Sequence, residues 1–137
     1  MMRLELTKKT DLAFQALQLI AASDSERVTG AELAEHLDVS PQYLPHVMAP
    51  LTHTGWVTSV SGPHGGYVLA KDLDMISLLD LVEAVEGPID HSRCLHLGPI
   101  HDGGLDCALH GPWTRAREAL IAELAATRLG DMICPVH

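Results

Sequence analysis

The residues best suited to chemistry in this chain are crowded into one short stretch. Two of its three cysteines, Cys94 and Cys107, lie there, together with four of its nine histidines, His91, His96, His101 and His110. Thiolate and imidazole are the ligands that zinc and related metals select, and a two-Cys, two-His set suits tetrahedral Zn²⁺. The competing reading is plainer: Cys94 packs as a small hydrophobe, Cys107 fills a helix entrance and the histidines are solvated. An odd cysteine count makes a poor disulfide framework, so Cys134 is expected as a free thiol. Nothing in the chain suggests an enzyme. It has no Gly-rich phosphate loop and no nucleophile motif, and a zinc hydrolase would need further ligands around an open cleft.

The elements that must position this stretch are mostly helical. Hydrophobic residues make up 47% of 137 residues but aromatic ones only 4%, a mixture of Leu, Val, Ile and Ala that suits packed helices. A first helix is expected from Thr10 as its cap, with Asp11 in the first turn and Leu12, Ala16, Leu19 and Ile20 at helical spacing. Thr29 and Glu32 form a capping box that opens a short second helix carrying Leu33 and Leu37. Ser40 followed by Pro41 is a helix start only a few residues later, which is helix-turn-helix spacing. Trp56–Val60 and Tyr67–Leu69 then read as strands around the turn-rich Ser61-Gly62-Pro63-His64-Gly65-Gly66. A fourth helix starts at Ser77 and stops at Gly87-Pro88. A final one runs from about Pro112 to Arg128, with Trp113, Ala116, Leu120 and Leu124 in one stripe and Ile121 and Ala125 beside it. The expected fold is mainly α, a winged helix-turn-helix with a β-hairpin wing and a long C-terminal helix that dimerises with a symmetry mate. Its expected divisions are a DNA-binding unit over 1–88, a Cys/His loop over 89–111 and a dimerisation helix and tail over 112–137.

Charge bears on the partner. The formal net charge is −9; residues 1–70 hold four Lys/Arg against seven Asp/Glu, and the remainder five against eleven. Binding DNA replaces phosphate counterions with Lys and Arg, so this charge taken alone argues against a nucleic-acid partner. The less acidic first half, with Lys8 and Lys9 adjacent, softens that objection, and any DNA affinity is expected to fall steeply in salt. No apolar run is long enough to span a bilayer, and the first six residues lack a signal-peptide profile. The expectation is a soluble, cytoplasmic protein with no membrane partner.

Three segments carry a family resemblance: Asp38-Val39-Ser40-Pro41-Gln42-Tyr43-Leu44, the wing from Ser59 to Ala70, and Ile76 to Pro88. Together they resemble the winged-helix regulators that include the iron–sulfur regulator IscR and the nitric-oxide sensor NsrR, over Thr7 to about Asp131. The resemblance implies a homodimeric repressor on a double-stranded, palindromic operator, its second motif helix in the major groove and its wing at the minor groove. Gln42 and Tyr43 then sit where side chains reach base edges, and Gln can bond adenine bidentately. Thr29 and Ser40 fall at phosphate, His46 and His53 on later turns, and Gly62, His64 and Gly65 in the wing. Two departures stand out: Pro45 inside the recognition helix, and Ser61 where many relatives place an arginine.

Many such relatives hold an iron–sulfur cluster in the loop before the dimerisation helix. Cys94 and Cys107 match the outer cysteines of that loop, and His110 matches a histidine found in one branch. The middle cysteine is missing, its place falling near Ile100-His101, so His101 is the ligand-type residue there. In the nitric-oxide branch a carboxylate from the partner's first helix completes the set, and Asp11 holds that position. Two thiolates completed by imidazole or carboxylate favour a two-iron (2Fe-2S) over a four-iron (4Fe-4S) cluster. The alternatives are a regulator responding to zinc or another metal through the same loop, and a cluster-free winged-helix interaction module.

Overall fold

The computed structural model describes residues 3–24, 27–63, 65–89 and 108–132. Five helices and one hairpin follow the expected order: α1 Lys8–Ala22, α2 Gly30–Leu37, α3 Leu44–His53, β1 Val57–Val60, β2 Gly66–Leu69, α4 Leu78–Glu86 and α5 His110–Ala126. Short 3₁₀ turns stand at Leu73–Met75 and Leu129–Asp131.

Helix α1 is the central post. Leu12, Phe14, Leu17 and Ile20 are buried with Leu33 and Leu37 of α2, Leu44, Val47, Met48 and Leu51 of α3, and Leu81 of α4. It starts earlier than the expected cap at Thr10. Thr7 is the cap, its Oγ1 accepting from the Thr10 N–H at 3.2 Å. The reason is burial: Thr10 is 0% exposed, turned onto α4, and its hydroxyl donates to Glu86 Oε2.

Helix α2 begins as expected on Thr29, whose Oγ1 accepts from Glu32 N–H at 3.1 Å. Its end is Asp38, in the left-handed conformation at φ 56°, with its N–H returning to the carbonyls of Ala34 and Glu35. That conformation turns the chain sharply toward α3. Ser40 caps a turn rather than the helix proper. Its Oγ accepts from Tyr43 N–H at 3.1 Å, Pro41–Tyr43 form that turn, and α3 is counted from Leu44. Pro45 thereby falls in the first turn of α3, where a helix needs no N–H donor. The expected disruption at Pro45 does not arise. The interior proline is Pro50, which withholds a bond from the carbonyl of His46.

The hairpin pairs Val57 with Leu69 and Val60 with Gly66 in antiparallel register. Strand β1 starts one residue later than expected, and only Val57 of its four residues is buried. Beyond it the ribbon leaves the core, so the alternation of Val60 meets solvent on both faces. Val28 adds a single bridge to Tyr67, with bonds of 3.0 and 2.7 Å, which ties the wing to the entrance of α2.

Helix α4 has a full capping box. Ser77 Oγ accepts from Asp80 N–H and Asp80 Oδ2 from Ser77 N–H, each at 3.0 Å. After α5 the chain folds back. Leu78 N–H reaches Thr127 O at 2.8 Å, Leu129 N–H reaches Ile76 O at 2.9 Å, and the Leu129 side chain, 1% exposed, enters the core of the first unit. Helix α5 itself contains no buried residue.

Candidate nucleic-acid interface and the sensor segment

Two exposed features lie to either side of α2. The first is the leading turn of α3. Its buried face is fixed by Leu44, Val47, Met48 and Leu51, which leaves Pro41, Gln42, Tyr43 and His46 outward. Tyr43 is 39% exposed, and its ring lies 6.0 Å from that of His46, tilted by 41°. Ser40 is exposed and Thr29 half-buried, and both hydroxyls already accept a backbone N–H. Each keeps its O–H to donate to a phosphate oxygen.

The second feature is the wing. Gly62 adopts φ 102°, a region that side chains disfavour. A Cβ on Gly65 would stand 2.2 Å from the Val60 carbonyl, so only glycine closes this loop without a shift. Between wing and α2 runs an open groove of about 360 Å³, lined in part by Gly30, Ser59, Ser61, Gly65 and Tyr67. His64 lies outside the described residues. Reading the sequence missed Ser59, an exposed hydroxyl at this groove; its place opposite Tyr67 in the hairpin was the available signal.

The described residues that bear on the Cys/His segment stand at the starts of α1 and α5. Cys94, His101, Cys107 and Cys134 fall outside the described residues. Of the five residues assigned as ligands, Asp11 and His110 are described. Asp11 is half-buried in the first turn of α1, where Oδ2 accepts from Gln15 Nε2 at 2.8 Å, an i,i+4 pairing legible in the sequence but overlooked. His110 is half-buried at the first position of α5. Among the described residues no group of three or more metal-ligand side chains converges. Thr10, beside Asp11, is bonded to Glu86, close to where the described chain stops at Ile89.

A groove of about 480 Å³ adjoins that point, lined by Arg3–Leu6, Leu78, Val82, Glu86, Ile89, Leu120 and Leu124. Leu4 is 80% and Leu120 49% exposed there. Among the described residues no helix is long and apolar enough to cross a membrane.

Comparison with known proteins bears on both ends. The profile of the Rrf2 family, described as "Iron-dependent Transcriptional regulator", matches residues 6–135. The HTH-type transcriptional regulator IscR of Klebsiella pneumoniae (strain 342) is 33% identical over 131 residues, covering 95% of this chain and 80% of that protein. The structure of CymR, the global cysteine regulator of B. subtilis, superposes with a TM-score of 0.72 at 27% identity, covering 94% of this chain and 95% of that one. That of T. potens IscR, at 23% identity and a TM-score of 0.67, covers 94% and 85% and speaks to the fold. These relatives are named as regulators, not as enzymes.

Proposed function

The chain belongs to the Rrf2 family and is a DNA-binding transcriptional regulator of the IscR type, and from that premise we propose that it is a homodimeric repressor whose grip on its operator is set by a 2Fe-2S cluster. The observation that carries this reading is the pairing of Cys94 and Cys107 with His101 and His110, in the segment joining the DNA-binding unit to α5. The donor set fits the group: two thiolates are available, while imidazole and carboxylate complete the coordination. Cys94 and Cys107 are the obligatory ligands, with His101, His110 and Asp11 as candidates for the remaining positions. When bound, such a cluster supplies a redox couple that oxidants or nitric oxide perturb.

The residues around it link that segment to DNA. Asp11 sits in the first turn of α1, whose other turns support α2 and α3. Thr10 ties the same turn to Glu86. A change of ligand at Asp11 or His110 therefore acts at an end of α1 or α5 and shifts the spacing between recognition helices across the dimer. On the DNA side, Gln42 and Tyr43 read bases, Thr29, Ser40 and His46 engage the backbone, and the wing residues Gly62, His64 and Gly65 approach the minor groove.

Anaerobic purification with an absorption spectrum and an iron assay tests the proposal. A brown protein that loses its iron in both Cys94→Ala and Cys107→Ala supports it. A colourless, zinc-loaded protein replaces the cluster with a zinc site, and iron retained in either variant refutes the ligand assignment.

A further inference from the structure

The segment that forms the helix-turn-helix and wing lacks permanent positive charge. Between Arg27 and Lys71 there is neither a lysine nor an arginine, while Glu32, Glu35 and Asp38 are all present. The same segment holds four histidines, His36, His46, His53 and His64. Its formal charge is thus −3 with neutral imidazoles and reaches +1 when all four are protonated. A phosphate backbone is bound mainly through cations, each of which displaces a condensed counterion.

Two of these histidines are well placed to supply that charge. His46 and His53 are both exposed, on the face of α3 opposite Leu44, Val47, Met48 and Leu51. Being seven residues apart, they lie within ~20° of one azimuth and ~10 Å apart along the helix axis. On a helix lying along the major groove, both imidazoles project to the same side, where successive phosphates of one strand can be reached. His46 is held beside the Tyr43 ring at the leading end, and His53 closes the last turn.

The elements packed against α3 are α1, α2, α4 and β1. Their charged and titratable groups are Lys8, Lys9 and Asp11 on α1, Glu32, Glu35 and His36 on α2 and Asp80, Glu83 and Glu86 on α4, with none on β1. Asp38 lies in the turn before α3. Neither His46 nor His53 forms an ion pair with any of these carboxylates among the described residues. Both are therefore open to a phosphate oxygen.

We propose that His46 and His53 are phosphate-binding residues of the DNA interface, that they act as imidazolium, and that operator binding is accompanied by proton uptake. This rests on the placement of α3 against DNA and adds the chemical form in which it binds. The sign follows from linkage. A phosphate beside an imidazole favours its protonated form, so the contribution to affinity is full at low pH and fades as pH rises through the histidine range.

The test is fluorescence anisotropy of the intact protein with a duplex enriched from a random-sequence pool, at fixed salt between about pH 8 and about pH 6. Affinity is expected to rise on acidification, by at most about tenfold per pH unit for each proton taken up. The salt slope is expected to steepen by about 0.9 for each imidazolium on phosphate. His46→Gln with His53→Gln removes most of the gain. His46→Lys with His53→Lys binds tightly at the upper pH and flattens the profile. A wild-type profile that is flat, or one that survives in the double Gln variant, overturns the proposal, while tighter binding by the Lys variant still leaves α3 on the DNA. If the Gln, Lys and Gln42→Ala variants all bind the duplex as the wild type does at every pH, α3 is not the DNA face and both readings fall.

Discussion

At the scale of single residues, polar side chains hold this structure where apolar ones bring the helices together. Thr10 has no exposed surface, and its hydroxyl accepts from Thr7 and donates to Glu86. Thr10→Val keeps the shape and removes the bonds. Glu86, itself exposed, turns to water, so the expected cost is about 0.5–1.5 kcal/mol in urea unfolding. Spacing points to Thr10 as the cap; Thr7 takes that role because the packing of α1 on α4 buries Thr10. Gln42 is the opposite case, a side chain with no structural duty among the described residues. Gln42→Ala is expected to leave unfolding unchanged and to cost about 1–3 kcal/mol at one operator base pair. A uniform loss across base substitutions, measured by gel shift, would instead assign Gln42 to the backbone.

At the scale of elements, α5 is the one whose own chain does not account for its composition. Trp113, Leu120, Ile121 and Leu124 recur along it, yet none is buried, and Leu120 and Leu124 line the groove shared with α4 and the N-terminal segment. The proposed homodimer would cover this apolar stripe with an identical one from a second copy. Leu120→Glu with Leu124→Glu is expected to give monomers in sedimentation. A persistent dimer would place the interface elsewhere. Most elements were legible because their signals are local: Thr29 with Glu32, Ser77 with Asp80, Gly62 and Gly65 in the wing, and the helical period of α1. Errors arose where tertiary placement decides. Pro45 reads as a helix breaker until the helix is seen to begin at Leu44, and β1 reads as alternating until its ribbon leaves the core. Of the candidate site, the exposed turn from Ser40 through His46 was legible as the start of the second motif helix. His53 was legible only as a residue on a later turn of that helix, since the lack of lysine and arginine gains meaning once α3 is seen to expose both imidazoles.

At the scale of the whole molecule, the described chain closes on itself around one core. The unit built by α1 to α4 includes Leu129, which arrives from beyond α5 and is held by the Ile76 carbonyl as well as by packing. Thr127 O and Leu78 N–H make the adjoining rung, so the end of α5 is fastened to the start of α4 by backbone and side chain together. Helix α5 is thus fixed at its C-terminal end to the DNA-binding unit, while its N-terminal end carries His110 and the Cys/His segment. The same anchor couples stability. Leu129→Ala is expected to cost about 2–5 kcal/mol, the range for a buried leucine whose cavity closes only in part. The loss should appear in the unfolding of the N-terminal unit, followed through the buried Trp56 after Trp113→Phe removes the second indole. Within the Trp113→Phe background, a Leu129→Ala variant whose Trp56 transition does not move would show that the C-terminal hook is dispensable to the core.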